Sequence, residues 1–331
     1  MANLIFIISL PRSGSTLLQH MLGSHSQIAA SAEPWVLFPS LLALRENSFY
    51  SKYQPDIGRI ALTDFLDQTD DNEMTYFHGV RRYADYMYDA FLKGTGKTFF
   101  LDKTSRYYMA LPELYKVYPE AKYIFLLRNP VSVLASFIEN MVDGNLASLG
   151  SDGVRDDLMY GYEILTTQKS NKNIKSYFVQ YESLVEDPAG MLEKICEFIE
   201  LRFERNMIDY GRQTGVLKGK LVDPKSIHRH QSPVKTYLQT WQVVINTEER
   251  RRFAYDYLRY LDEDIVSAAG YDYLDLLGRC LPNRTEGYSA FNEIMSGNKR
   301  TRGVGGVFKA LKKGEYITAL SRTAKILFRI N

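Results

Sequence analysis

Directly after an apolar run, Leu10-Pro11-Arg12-Ser13-Gly14-Ser15-Thr16 brings together a guanidinium, three hydroxyls and a glycine. A short glycine-containing loop that enters a helix offers free backbone N–H groups and the positive end of the helix dipole. Arg12, Ser15 and Thr16 add charge and hydroxyl donors, so the segment suits a phosphate or a sulfate. It is not a Walker A loop, which needs Lys directly before the Ser/Thr. Gly14 stands at that position. A second cation, Lys103, closes another apolar run, Thr98–Leu101, through Asp102. Cations at the carboxyl ends of two strands point toward one crevice. By residue type alone Lys103 reads as a surface lysine.

The elements that would position these groups alternate. Residues 3–9, 28–31, 98–101, 122–127 and 176–181 read as strands. Helical patterns run from about 16 to 23, 76 to 93, 106 to 118, 152 to 170, 188 to 199 and 246 to 259, and Pro34 suits the first turn of a further helix. Strands alternating with helices predict an α/β fold, a P-loop-type three-layer sandwich with a central parallel sheet flanked by helices. One domain over 1–290 is expected, followed by a basic, partly helical tail over 291–331.

Composition bounds the class. The chain has 331 residues, 45% of them hydrophobic and 24% charged, which suffices for a full core and excludes disordered or collagen-like classes. Two cysteines, Cys196 and Cys280, make no disulfide framework, and no Cys/His spacing marks a zinc site, so a reducing, cytoplasmic setting is expected. The apolar run 4–8 is read as a buried strand rather than a signal-peptide core, because no basic residue precedes it and Pro11-Arg12 interrupts it. Charge is uneven: nine Lys/Arg and one acid lie between Lys299 and Asn331. That tail reads as a solvated extension, a peripheral contact with the inner surface of an anionic membrane, or an assembly element. No nucleic-acid partner is expected, and oligomeric state is not legible.

The order of motifs resembles the sulfotransferase family that uses 3′-phosphoadenosine 5′-phosphosulfate (PAPS), particularly its bacterial and tyrosyl-protein-like branches. The segment Arg12–Thr16 looks like the family's 5′-phosphosulfate loop. Arg128-Asn129-Pro130 with Ser136 is similar to the pair that holds the nucleotide's 3′-phosphate. Between them, Leu101-Asp102-Lys103-Thr104, Leu111-Pro112-Glu113-Leu114, Tyr118-Pro119 and Ala121-Lys122-Tyr123-Ile124 resemble a run found in the same branches. Tyr181-Glu182-Ser183-Leu184 and Asp187-Pro188 resemble a later segment near the 3′-phosphate. Asp223-Pro224-Lys225, His228 and Trp241 resemble a closing one. The resemblance spans about 1–245.

It implies a transfer of the sulfuryl group from PAPS to an acceptor hydroxyl, leaving 3′-phosphoadenosine 5′-phosphate (PAP), with no metal required. Sulfuryl transfer resembles phosphoryl transfer, so positioning and electrostatics dominate. The cofactor-binding set is then Arg12, Ser13, Gly14, Ser15, Thr16, Arg128, Ser136 and Tyr181, and Arg12 and Lys103 stabilise the transferring group. Glu33 is the general base that the resemblance implies, and burial beside Pro34 and Trp35 is expected to raise its pKa. The bland reading of Glu33 is a carboxylate complementing a helix dipole. His228 and His230 are rival bases. Tyr76, Tyr83, Tyr86 and Phe91 read as core packing rather than a ligand wall. A small-molecule or glycan acceptor is expected, lipid-linked glycans included; the sequence does not choose among sugar, tyrosine, steroid, polyketide, lipid and amine acceptors, and their pocket is expected within 35–95 and 140–175. Two other classes compete. A P-loop kinase or NTPase would use Asp102 on a metal, and a non-catalytic protein would bind PAP or PAPS without transfer.

Overall fold

A computed structural model describes residues 3–45, 55–212, 231–285 and 289–296. His228, His230, Asp223-Pro224-Lys225 and residues 297–331 of the expected tail lie outside the described residues, whereas its first residues, 291–296, are helical and bury Phe291 and Met295 in the main core.

Five strands form one parallel sheet: β1 (Asn3–Ser9), β2 (Ile28–Ala30), β3 (Phe99–Asp102), β4 (Lys122–Leu127) and β5 (Lys175–Gln180). Their order is β2-β3-β1-β4-β5. β1 is central, pairing with β3 through Phe6 opposite Asp102 and with β4 through Ser9 opposite Leu126. The helices are α1 (Ser15–Gly23), α2 (Phe38–Leu41), α3 (Pro55–Leu66), α4 (Glu73–Leu92), α5 (Leu111–Val117), α6 (Pro130–Asn140), α7 (Asp152–Thr167), α8 (Tyr181–Glu186) and α9 (Pro188–Ile199). Beyond them come α10 (Thr240–Val244), α11 (Glu248–Ala268), α12 (Tyr273–Arg279) and α13 (Ala290–Ser296).

Both faces of the sheet are covered, which is why β1 is almost continuously apolar instead of alternating. Leu4, Phe6 and Ile8 face the larger core with α4, α5, α6, α7 and α11, and Ile5 and Ile7 face the smaller one with α1, α8 and α9. In the larger core Phe6 stacks on Tyr123 at 5.5 Å between ring centroids, and Phe125 stacks on Phe178 at 4.7 Å. Consecutive parallel strands lie on opposite sides of β1, so its carboxyl end opens at a switch point of the sheet, where ligands bind in such folds.

Four local expectations need correction. Pro34 opens no helix; residues 33–35 are irregular, and Pro39 occupies the first turn of α2 instead. The strand expected to include Tyr181 ends at Gln180, and Tyr181 begins α8. The last long helix extends to Ala268 across a kink at Asp262, whose φ is 64°. Tyr83, Tyr86 and Phe91 are not core: they are 49%, 74% and 45% exposed, because α4 turns Phe77, Val80, Ala84 and Tyr88 inward. The helix α3 had no counterpart in the sequence reading, since its apolar residues Ile57, Ile60 and Phe65 face outward and blur the period.

Helix α7 braces the loop after β1 through Gly161, where an added Cβ would lie 2.0 Å from Leu10 Cδ2 and 3.0 Å from its Cγ. Leu10 is fully buried and cannot retreat without opening the core. Gly161→Ala is expected to cost about 1–3 kcal/mol and to lower the melting temperature. A melt unchanged from wild type would show that this contact does not constrain the loop.

Candidate active site

The loop after β1 owes its shape to two residues in the left-handed region, Arg12 at φ 68° and Gly14 at φ 88°. Gly14 meets two demands. Its φ favours glycine, and a Cβ there would stand 2.3 Å from Tyr181 Cδ2. The N–H of Ser13 donates to Leu10 O at 3.3 Å, and α1 then begins at Ser15. Glycine contributes no capping side chain, so the first-turn N–H groups are available to an anion.

The second expected cluster is in direct contact with this loop. Arg12 Nε donates to Ser136 Oγ at 3.0 Å, and an Arg128 terminal nitrogen donates to the Arg12 carbonyl at 3.0 Å. The Arg128 guanidinium lies 4.4 Å over the Tyr181 ring, and its other terminal nitrogen donates to Tyr237 O at 3.3 Å. Its Nε is buried and has no hydrogen-bond partner among the described residues. Such an orphaned donor fits an anionic ligand.

Local structure holds both residues in place. Asn129 caps α6, its side chain accepting from the N–H groups of Val131 and Ser132. Tyr162 OH donates to Arg128 O at 2.5 Å, and Glu182 accepts from Asn129 N at 3.1 Å and from Tyr271 OH at 2.5 Å. Ser136, two turns into α6, also accepts from Asn140 Nδ2 at 3.4 Å.

A third cluster lies at the carboxyl end of β3. Lys103 is buried and donates to Glu33 Oε1 at 2.7 Å, with side chains 4% and 15% exposed. Ser105 Oγ donates to the same oxygen at 2.5 Å, and Trp35 Nε1 donates to Oε2 at 3.2 Å. Burial acts to raise the Glu33 pKa, but the Lys103 charge and the hydrogen bonds from Lys103, Ser105 and Trp35 outweigh it. The carboxyl therefore sits below its ordinary value, the reverse of the rise expected from burial alone. Lys103 is accordingly no surface lysine. Asp102 is fully buried and accepts from Tyr88 OH at 2.7 Å, Tyr107 OH at 3.0 Å and Thr104 Oγ1 at 2.9 Å. Burial pushes its pKa up to about 6. Three hydroxyls already occupy the carboxylate that a kinase reading would place on a metal.

Arg12, Ser13, Gly14, Ser15 and Thr16 thus share one loop and helix start, joined to Arg128, Ser136 and Tyr181 by contact. Lys103 and Glu33 form their own pair. Sequence reading missed Ser105, Asn140 and Tyr237, and took Trp35 as an apolar neighbour of Glu33 without its hydrogen bond. Ser105 had a signal, since it lies two residues beyond Lys103. Tyr237 had none, because its part is played by a backbone carbonyl.

Comparison with known proteins identifies the family. The model of the sulfotransferase family matches residues 4–205, and the chain belongs to that family. Nodulation protein NoeE of Sinorhizobium fredii is 28% identical over 266 residues, covering 74% of this chain and 61% of its own length. A putative protein-tyrosine sulfotransferase of Caenorhabditis briggsae is 25% identical over 275 residues, covering 81% and 89%. Protein-tyrosine sulfotransferase 1 of Danio rerio is 25% identical over 220 residues, covering 65% and 58%. The chain thus spans about three fifths of the nodulation protein and of the Danio rerio relative. Among solved structures, the sulfotransferase domain of the curacin biosynthetic pathway aligns at TM-score 0.48 and 22% identity over 74% of this chain and 92% of its own. Mouse sulfotransferase SULT7A1 complexed with PAP aligns at 0.44 and 16%, over 81% and 88%. No helix among the described residues is long and apolar enough to cross a membrane.

The buried pair predicts a pH signature. Because the folded-state pKa of Glu33 lies below 4.5, its stabilisation is fully present above pH 4.5 and is lost as pH falls through the folded value. Lys103→Met should cost up to about 3–5 kcal/mol at neutral pH, read from denaturant unfolding. The gap from wild type should narrow below pH 4.5. A gap independent of pH would contradict the pairing.

Proposed function

We propose that the protein transfers a sulfuryl group from PAPS to the hydroxyl of a small-molecule or glycan acceptor. The observation that carries this reading is the contact of the two anion clusters through Arg12, Ser136 and Arg128. A nucleotide with phosphates at both ends of its ribose needs two anion sites within its own length, and the contact between the two clusters supports that reading. The loop Arg12–Thr16 would take the 5′-phosphosulfate. Arg128 and Ser136 would take the 3′-phosphate, with Tyr181 beneath the guanidinium. The orphaned Arg128 Nε fits such a ligand.

In this reading the acceptor oxygen attacks sulfur in line. A new S–O bond forms as the bond from sulfur to the 5′-phosphate oxygen breaks, and the hydroxyl proton passes to Glu33. Negative charge grows on the departing PAP, where Lys103 and Arg12 stabilise it. A lowered Glu33 pKa keeps the base ionised, and it gains strength as Lys103 turns from it toward the leaving phosphate. Glu33 takes the proton, and the chain's own cations and N–H groups stabilise the growing charge.

Glu33→Gln tests the reading. It keeps the side-chain shape and removes the proton acceptor. PAP affinity, read by calorimetry without Mg²⁺, should stay within about threefold. Turnover of labelled PAPS into acceptor should fall by about 10²–10⁴. Turnover at the wild-type rate would remove Glu33 from the mechanism, and tighter stabilisation by ATP–Mg²⁺ than by PAP would favour a kinase.

A further inference from the structure

The turn that follows β3 sends its side chains to two sides by turns. Lys103 and Ser105 reach Glu33, and Asp102 and Thr104 reach each other. Thr104 Oγ1 also accepts from the backbone N–H of Trp35 at 3.3 Å. Trp35 has φ 52°, an uncommon conformation for a residue with a side chain, which persists where surrounding contacts hold it. The Thr104 contact supplies one such restraint, and the Phe38 ring at 4.9 Å supplies another. In that conformation the indole N–H returns to Glu33 two residues back.

Three donors therefore surround one carboxylate, and they are not equivalent. In the proposed reaction Lys103 carries the charge that the leaving phosphate needs, and one ammonium cannot serve both partners fully at once. Ser105 and Trp35 are neutral and have no such second task. An ionised carboxylate offers about four lone-pair sites. With Ser105 on Oε1 and Trp35 on Oε2, a site on Oε2 remains for an acceptor hydroxyl.

We propose that Ser105 and Trp35 are positioning residues for Glu33, holding its carboxylate in the attacking orientation while Lys103 transfers to the departing phosphate, with Asp102 and Thr104 as their buried anchor. The inference rests on the reading of Glu33 as general base. Ser105 and Trp35 need no contact with PAPS in this role, so their loss separates turnover from donor binding. Removing either donor also makes the carboxylate less stable relative to its acid, so its pKa rises. The charged groups that act on Glu33 or share its network are Lys103, Asp102 and Arg106. All three remain in the variants below.

Ser105→Ala, Ser105→Thr and Trp35→Phe in the full chain test this, with Glu33→Gln as control. Ser105→Ala and Trp35→Phe should each lower kcat by about ten- to hundredfold. KM for PAPS and Kd for PAP should stay within about twofold. The acid limb of the kcat profile should move to higher pH. Ser105→Thr, which keeps the hydroxyl, should recover most of kcat and return the limb. Wild-type kcat in both variants, or a kcat loss that tracks weaker PAP binding with the limb unmoved, overturns the proposal. An active Glu33→Gln overturns the base reading itself, whereas an inactive Glu33→Gln beside unaffected Ser105→Ala and Trp35→Phe overturns only the positioning.

Discussion

The hydrogen bond from Arg12 to Ser136 joins parts of the chain that are 124 residues apart and brings the loop after β1 against α6. It forms because β4 pairs directly with β1, so the loop after one strand and the helix after the other emerge at the same edge. Arg128 reinforces the link by donating to the Arg12 carbonyl, which fixes the loop's backbone as well as adding charge. Gly14 completes it, since only a residue without Cβ lets the Tyr181 ring lie against the loop while carrying Arg128 above it. Each piece constrains another, and the sheet order sets them all.

On the other flank of β1 the same logic brings the end of β3 to the segment after β2. Moving Lys103 and Glu33 out of water costs several kcal/mol per ion, and only a close pair with further hydrogen bonds offsets it. Ser105 and Trp35 supply those bonds to Glu33. Asp102 next door is satisfied by three hydroxyls and anchors the turn instead of meeting a ligand. The β3 turn therefore alternates residue by residue between the Glu33 carboxylate and the buried Asp102 network.

Much of the fold was legible because its signals are local. The strand Lys122–Leu127 was read with its observed bounds, and the helix after Pro188 likewise, because apolar runs and proline starts announce themselves. What escaped depends on distant partners. Nothing near Lys103 in sequence says that it is buried, since Glu33 lies 70 residues away. The Glu33 pKa was expected to rise because burial is readable from its neighbours while the compensating cation is not. The exposure of Tyr83 and Tyr86 also escaped, because an aromatic stripe carries no label for the side of the helix that meets the core.

The central claim is that one nucleotide spans the joined cluster, with its 3′-phosphate on Arg128 and Ser136. Calorimetric titration of PAP against adenosine 5′-monophosphate, which lacks that phosphate, tests it most directly. Wild type should prefer PAP by about tenfold to a hundredfold, since hydrogen bonds to charged groups contribute about 1.5–3 kcal/mol. Arg128→Ala should erase most of that preference. Equal binding of the two nucleotides by the wild-type protein would contradict the account.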